Sequence, residues 1–177
     1  MKITRVETIL LQYELPPGDQ WRWNRGSILG WSAAFIRVHT DERIDGIGEC
    51  YFGNFVPEII PPVVEDLARH LVGEDSFRIG YLLQKLNSLT RFWNRQGFRQ
   101  SVIGAIDISL YDLVGKALRL PVYQLLGRLS NPEIPTYASA GCSDSLNTLR
   151  MESGRRKYRV SASTNGDSRM TATPARS

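Results

Sequence analysis

Apolar and polar residues alternate through roughly the first fifty positions, and the period changes after Tyr51. From Lys2 to Leu15, Ile3, Val6, Ile9, Leu11 and Tyr13 mostly alternate with polar neighbours, which predicts a half-buried strand ended by Pro16, Pro17 and Gly18. The following residues have the Gly, Asn and charge content of a loop, yet they include Trp21 and Trp23. A second strand is predicted from about Trp31 to Thr40 and a third from Ile44 to about Tyr51. The short polar turn Asp41-Glu42-Arg43 between them reads as an antiparallel hairpin.

Beyond Tyr51 the spacing becomes helical. Pro57, Pro61 and Pro62 punctuate a helix that begins near Phe55, runs from Val63 to Leu71 and ends at Gly73. A second helix is predicted over Phe77–Phe92, with Leu82, Leu83, Leu86 and Leu89 three and four residues apart. The third carries the most regular stripe: Val102, Ile103, Ile106, Leu110, Leu113, Val114 and Ala117 between Gln100 and Leu118. Pro121 then opens a short helix closed by Gly127, and residues 134–141 (IPTYASAG) read as one more strand. The fold class is therefore α+β, a three-stranded antiparallel sheet followed by a helical bundle. From residue 150 the pattern stops: no Leu, Ile, Phe or Trp occurs there, and the segment is expected to be disordered.

Composition changes this picture little, but charge changes it in one place. With 177 residues, 42% hydrophobic and 23% charged, the chain can bury a sizeable core. The net charge of +4 suggests nucleic acid until the chain is divided. Residues 1–149 hold 15 Lys and Arg against 16 Asp and Glu, whereas residues 150–177 hold the other 7 against 2. The body is near neutral and no nucleic-acid-binding pattern accompanies the basic tail, so nucleic acid is not an expected partner. No apolar run approaches a membrane span, and the N-terminus lacks the basic-then-apolar block of a signal peptide. Cys50 and Cys142 form no CxxC pair, which makes a reducing cytoplasm the expected compartment.

Candidate chemistry is sparse. His39 and His70 have no metal-ligand spacing and read as structural or surface residues. Gly46-Ile47-Gly48 lacks the third glycine and the following helix of a dinucleotide fingerprint, so it reads as strand. Asp112 and Lys116, four apart, read as a supporting ion pair. Asp107, between Ile106 and Ile108, reads as a partly buried carboxylate in need of a hydrogen-bond partner, with a catalytic role the weaker alternative. Two loops stand out: Trp21 and Trp23 with Arg22 and Arg25, and Tyr51, Phe52 and Phe55 with Asn54. Aromatics with a few polar groups suit a small ligand, and Arg favours a carboxylate. The same rings could simply cover the end of the sheet, and both readings stay open at this point.

The segment AIDISLYDLVGKALRLPVYQLLG at 105–127, with Asp107, Asp112, Gly115, Lys116, Pro121 and its LLG ending, resembles the enolase superfamily, in particular its mandelate racemase and muconate-lactonizing branch. DGIGE at 45–49 is a second, weaker match, and the resemblance spans residues 1 to about 141. It implies an N-terminal capping domain over residues 1–133, the start of a TIM barrel at 134–149 with 134–141 as its first strand, and a basic tail at 150–177 of the kind a shifted reading frame would produce. It also implies that the loops at 14–28 and 50–57 close over the substrate. Trp21, Trp23, Arg25, Tyr51, Phe52 and Phe55 then become candidate substrate-binding residues, and Ser139 matches a position that meets the substrate carboxylate in some members.

The reaction the family implies is abstraction of a proton α to a carboxylate, with Mg²⁺ stabilising the enediolate, in racemases, dehydratases and cycloisomerases of hydroxy or sugar acids. A (β/α)₈ barrel takes about 250 residues, but only 44 run from Ile134 to Ser177. No catalytic base or metal ligand is identifiable, so the chain is expected to be truncated, to bind no Mg²⁺ and to be inactive alone. The alternative is a freestanding, non-catalytic binding module for a carboxylate ligand or a barrel-bearing partner. An exposed barrel-facing surface would also favour homo-oligomers.

Overall fold

The computed structural model describes residues 1–18, 20–23, 26–92, 97–127, 158–160 and 172–174; for 21–23, 158–160 and 172–174 this covers the backbone alone. Met1–Glu14 and Gly30–Gly127 make up one compact unit, and Leu15–Leu29 belong to a second unit that is treated by itself below.

The strands of the first unit are β1 (Ile3–Glu14), β4 (Gly30–Thr40) and β5 (Asp45–Cys50), and all pair antiparallel in the order β1-β4-β5. Residues 21–23 and 26–28 are β2 and β3. The alternation seen in the sequence becomes two sheet faces. Ala34, Ile36 and Val38 are buried, Thr40 nearly so, and their neighbours on the opposite face are half-exposed. Thr40 Oγ1 donates to the Ile44 carbonyl at 2.7 Å across the β4–β5 turn, where Arg43 takes a left-handed φ of 60°.

The helices are α1 (Ile60–Ala68), α2 (Ile79–Thr90), α3 (Phe98–Leu118) and α4 (Val122–Leu125). α1 starts two or three residues before Val63 because Pro61 and Pro62 occupy its first turn, where a missing N–H costs nothing. The residues before it, where the sequence suggests one helix from Phe55, are instead two 3-10 turns, Tyr51–Asn54 and Pro57–Ile59. α3 ends with Arg119 in the left-handed region. The Arg119 and Leu120 N–H groups cover the Gly115 carbonyl, and Pro121 stops the helix.

Ile60, Val64 and Leu67 from α1, Leu82 and Leu86 from α2, and Val102, Ile103, Ile106, Leu110 and Leu113 from α3 meet the inner sheet face in one core. Each such side chain contributes about 1.5–3 kcal/mol by leaving water. Gly46 and Gly48 explain how α3 comes so close to β5. A Cβ at Gly46 would lie 1.9 Å from the Ser109 carbonyl oxygen, and one at Gly48 would lie 2.1 Å from that of Ala105. The DGIGE glycines thus seat a helix on a strand. Asp112 locks the contact: its Oδ2 accepts from the Ile47 N–H at 2.9 Å and from Lys116 Nζ at 2.7 Å, while Lys116 also donates to the Asp45 carbonyl at 3.0 Å.

In the tail, where disorder is expected from composition, β6 (Tyr158–Val160) pairs antiparallel with β7 (Ala172–Pro174). Backbone hydrogen bonds need no apolar residues, so the lack of Leu, Ile, Phe and Trp does not forbid a short pairing of this kind. The expected barrel strand at 134–141 and Cys142 lie outside the described residues. No helix among the described residues is long and apolar enough to cross a membrane.

Candidate functional site

At the end of β5 the chain turns sharply through Tyr51–Asn54, and the turn is fixed from below. Gly53 lies against β4 so closely that a Cβ there would stand 2.3 Å from the Ala34 nitrogen. The Phe55 and Val56 N–H groups both donate to the Phe52 carbonyl at 3.0 Å. Phe52 points inward and meets Phe98, at the start of α3, edge to face with centroids 5.3 Å apart. Tyr51 and Phe55 contact each other at 5.4 Å and flank Phe52, yet they are 66% and 60% exposed. Three of the sequence-derived candidates are thus brought together, with different roles. Phe52 anchors the turn in the core, and Tyr51 and Phe55 present apolar faces and one phenol outward. Phe98 is the member that sequence reasoning missed; only its place at the start of the α3 stripe hints at it.

The candidates at 14–28 belong to the other unit. There Leu15 N–H donates to the Leu29 carbonyl at 2.8 Å, and Gln20 Nε2 donates to the Leu15 carbonyl at 3.1 Å, which closes the base of the segment. Trp21–Trp23 pairs antiparallel with Gly26–Ile28, with Trp21 opposite Ile28 and Trp23 opposite Gly26. The segment read as a plain loop is therefore a short hairpin. Its hydrogen bonds are made by backbone, which is why its Gly and Asn content conceals it. Arg25 and Ser139 lie outside the described residues.

The remaining titratable groups of the first unit are mostly paired. On the outer sheet face Glu7 accepts from His39 Nε2 at 2.7 Å, and this hydrogen bond holds the Glu7 carboxyl below its usual range. Arg37 does the same for Asp45. Buried Arg99 pairs with Asp66, and Lys85 joins Glu74 at 2.6 Å and the His70 carbonyl at 2.9 Å. Cys50 is buried with its thiol 3.5 Å from Ser101 Oγ. Asp107 differs from these. Its Oδ1 is sealed from solvent without a hydrogen-bond partner among the described residues, and desolvation pushes its carboxyl above the usual range. Among those residues no three of His, Cys, Asp or Glu gather as a metal ion would require. The described side chains do not fit the divalent cation of the family's reaction.

What the described turn can do is hold and cover. Tyr51 and Phe55 stand on a base fixed by Gly53, Phe52 and Phe98, as a specificity surface requires.

Known proteins share this arrangement. The model of the mandelate racemase/muconate lactonizing enzyme N-terminal domain matches residues 17–127. D-galactonate dehydratase of Pectobacterium atrosepticum is 36% identical over 141 residues, 80% of this chain and 32% of that enzyme. The enzyme of the same name from Ralstonia pickettii is 35% identical over the same length. Among solved structures, an enolase superfamily member from Polaromonas sp. JS666 superposes with a TM-score of 0.75 at 30% identity, covering 86% of this chain and 40% of that one. The 3,6-anhydro-D-galactonate cycloisomerase of Zobellia galactanivorans gives 0.64 at 27% identity, covering 77% and 35%. The chain spans about a third of the length of the curated relatives it matches. The family match runs over well more than half of the chain, and the chain belongs to the mandelate racemase/muconate lactonizing enzyme family, of which it carries the N-terminal capping domain.

Proposed function

We propose that this chain is the substrate-covering part of a Mg²⁺-dependent enzyme that removes the proton α to the carboxylate of a hydroxy or sugar acid, and that it performs no chemistry alone. The observation that carries this reading is the fixed turn bearing exposed Tyr51 and Phe55, in a chain that spans 32% of a D-galactonate dehydratase. A sugar acid offers C–H faces to an aromatic ring and hydroxyls to a phenol, and this turn supplies both. By lying over a bound acid, the two rings exclude water and hold it for proton removal by groups elsewhere, where attraction between charges is stronger once water is gone. Trp21, Trp23, Arg25 and Ser139 are assigned to the same acid, an arginine suiting its carboxylate. A Mg²⁺ would be held by carboxylates outside the described residues and would supply positive charge to the acid as its proton leaves. A cytoplasmic location agrees with the buried, unpaired thiol of Cys50.

The test is direct: the purified chain is incubated with Mg²⁺ and a panel of sugar acids that includes D-galactonate, and products are followed by proton NMR. No turnover and no exchange of the α-proton with solvent is expected. Turnover of any acid by the chain alone overturns this division of labour.

A further inference from the structure

Tyr51 and Phe55 stand two residues before and two residues after Gly53, so a displacement of Gly53 carries both rings with it. The place of Gly53 is set from two sides. On the sheet side, the inner face of β4 reads Ser32, Ala34, Ile36 and Val38, small where the turn lies against it and large beyond. Ala34 is wholly buried and sits in register between Leu10 of β1 and Cys50 of β5. A Cβ at Gly53 would stand 2.8 Å from the Ala34 Cβ and 3.0 Å from the Ala33 carbonyl carbon, besides its 2.3 Å approach to the Ala34 nitrogen. The turn therefore rests on strand backbone and on one methyl group.

On the helix side, Phe98 and Ser101 are three residues apart and share one face of the first turn of α3. Phe98 holds the Phe52 ring, and Ser101 Oγ lies 3.5 Å from the thiol of Cys50, the residue that leads into the turn. Within the turn, the Phe52 carbonyl accepts from both Phe55 and Val56, which ties residues 52–56 into one piece. Ala34 and Gly53 are themselves buried, so any effect they have on a ligand passes through the two exposed rings.

We propose that the Ala34–Gly53 contact, braced by Phe98 and Ser101 on α3, sets the distance at which Tyr51 and Phe55 meet a bound acid, and that these buried residues are positioning residues for substrate. This rests on the covering reading of the turn and adds to it the residues that give the rings their reach. The physical reason is the steep fall of dispersion attraction with distance: a gap of about 0.5–1 Å between ring and ligand forfeits a quarter to a half of it. A side chain at Gly53 is accommodated only by a lift of about that size, because the strand backbone beneath it cannot give way.

The test is kinetic, in D-galactonate dehydratase of Pectobacterium atrosepticum with residues 1–127 of this chain in place of its own matching part. Circular dichroism of the whole 177-residue chain checks that each variant folds. Gly53→Ala is expected to raise KM for D-galactonate about threefold to tenfold with kcat changed by less than about twofold, since the substitution loosens binding contacts and moves no proton. Phe98→Leu keeps an apolar side chain beneath Phe52 without crowding it and is expected to raise KM about threefold; it carries the test should Gly53→Ala not fold. The deciding comparison repeats each substitution in a background of Tyr51→Ala with Phe55→Ala. A residue that acts through the rings then changes KM by less than about twofold, whereas a general disturbance of the fold changes it as before.

A rise in KM that persists undiminished without the rings overturns the proposal. So does a folded Gly53→Ala chimera with unchanged KM or, failing its fold, a Phe98→Leu chimera with unchanged KM. A parent chimera without turnover, or one whose KM is indifferent to loss of both rings, overturns the covering reading itself and the proposal with it.

Discussion

Gly48→Ala tests the central packing contact of the fold. An alanine Cβ at that position would lie 2.1 Å from the Ala105 carbonyl oxygen and 2.9 Å from the Ser109 nitrogen, both helix backbone that cannot rotate away. Ordinary carbon–oxygen contacts lie near 3.3 Å or beyond, so α3 must retreat by about 1 Å. Overpacking of this kind costs about 1–3 kcal/mol. The retreat also loosens the Asp112–Ile47 and Lys116–Asp45 hydrogen bonds, at about 1 kcal/mol each. The total is about 3–5 kcal/mol, which lowers the melting temperature by roughly 10–15 °C in a domain of this size. The assay is thermal and urea unfolding followed by circular dichroism, with Gly80→Ala as the comparison. Gly80 is also a helix glycine, but a Cβ there meets nothing within 4 Å, so alanine is expected to stabilise by up to about 1 kcal/mol. A Gly48→Ala protein that melts within about 2 °C of the parent would refute the seating of α3 on the strand glycines.

Further outcomes follow from the same contacts. Asp112→Ala removes the acceptor of the Ile47 N–H and the partner of Lys116, and is expected to cost about 2 kcal/mol in urea unfolding; an unchanged midpoint would show that α3 is not tied to β5 there. Phe98→Ala takes away the ring under Phe52 and is expected to cost about 2 kcal/mol and to speed proteolysis within residues 51–56, read by mass spectrometry. Glu7 and Asp45 have folded carboxyls held below their unfolded values. The stability they contribute is therefore present above about pH 4 and lost as pH falls through the lower folded values. Arg37→Met frees Asp45, so it is expected to narrow the loss of urea midpoint between pH 7 and pH 3; a loss as large as the parent's contradicts the pairing.

The elements were legible where side chains alone decide them. The α3 stripe and the β4 alternation are burial patterns written directly in residue type, and both strands and helix appear close to their expected ends. The turn at Tyr51–Asn54 was less legible, because Gly53 is required by Ala34 on another strand, and a contact across nineteen positions leaves no local mark. Asp112 read as half of an ion pair, and that pair exists; its hydrogen bond to Ile47, 65 residues away, is a property of packing. Aromatic content flagged Tyr51, Phe52 and Phe55 together, but composition cannot tell the ring that faces the core from the two that face outward. Asp107 was legible as a partly buried carboxylate from its isoleucine neighbours, and the partner it was expected to need is not among the described residues.

The most direct measurement is kinetic, on a chimera in which residues 1–127 of this chain replace the matching part of Pectobacterium D-galactonate dehydratase. If these residues cover substrate, the chimera turns over a sugar acid. Tyr51→Ala and Phe55→Ala within it are then expected to raise KM about tenfold or more with a smaller change in kcat, because the rings bind the acid and take no proton. A chimera that is active, with KM and kcat indifferent to both substitutions, would contradict the assignment of this turn to the substrate.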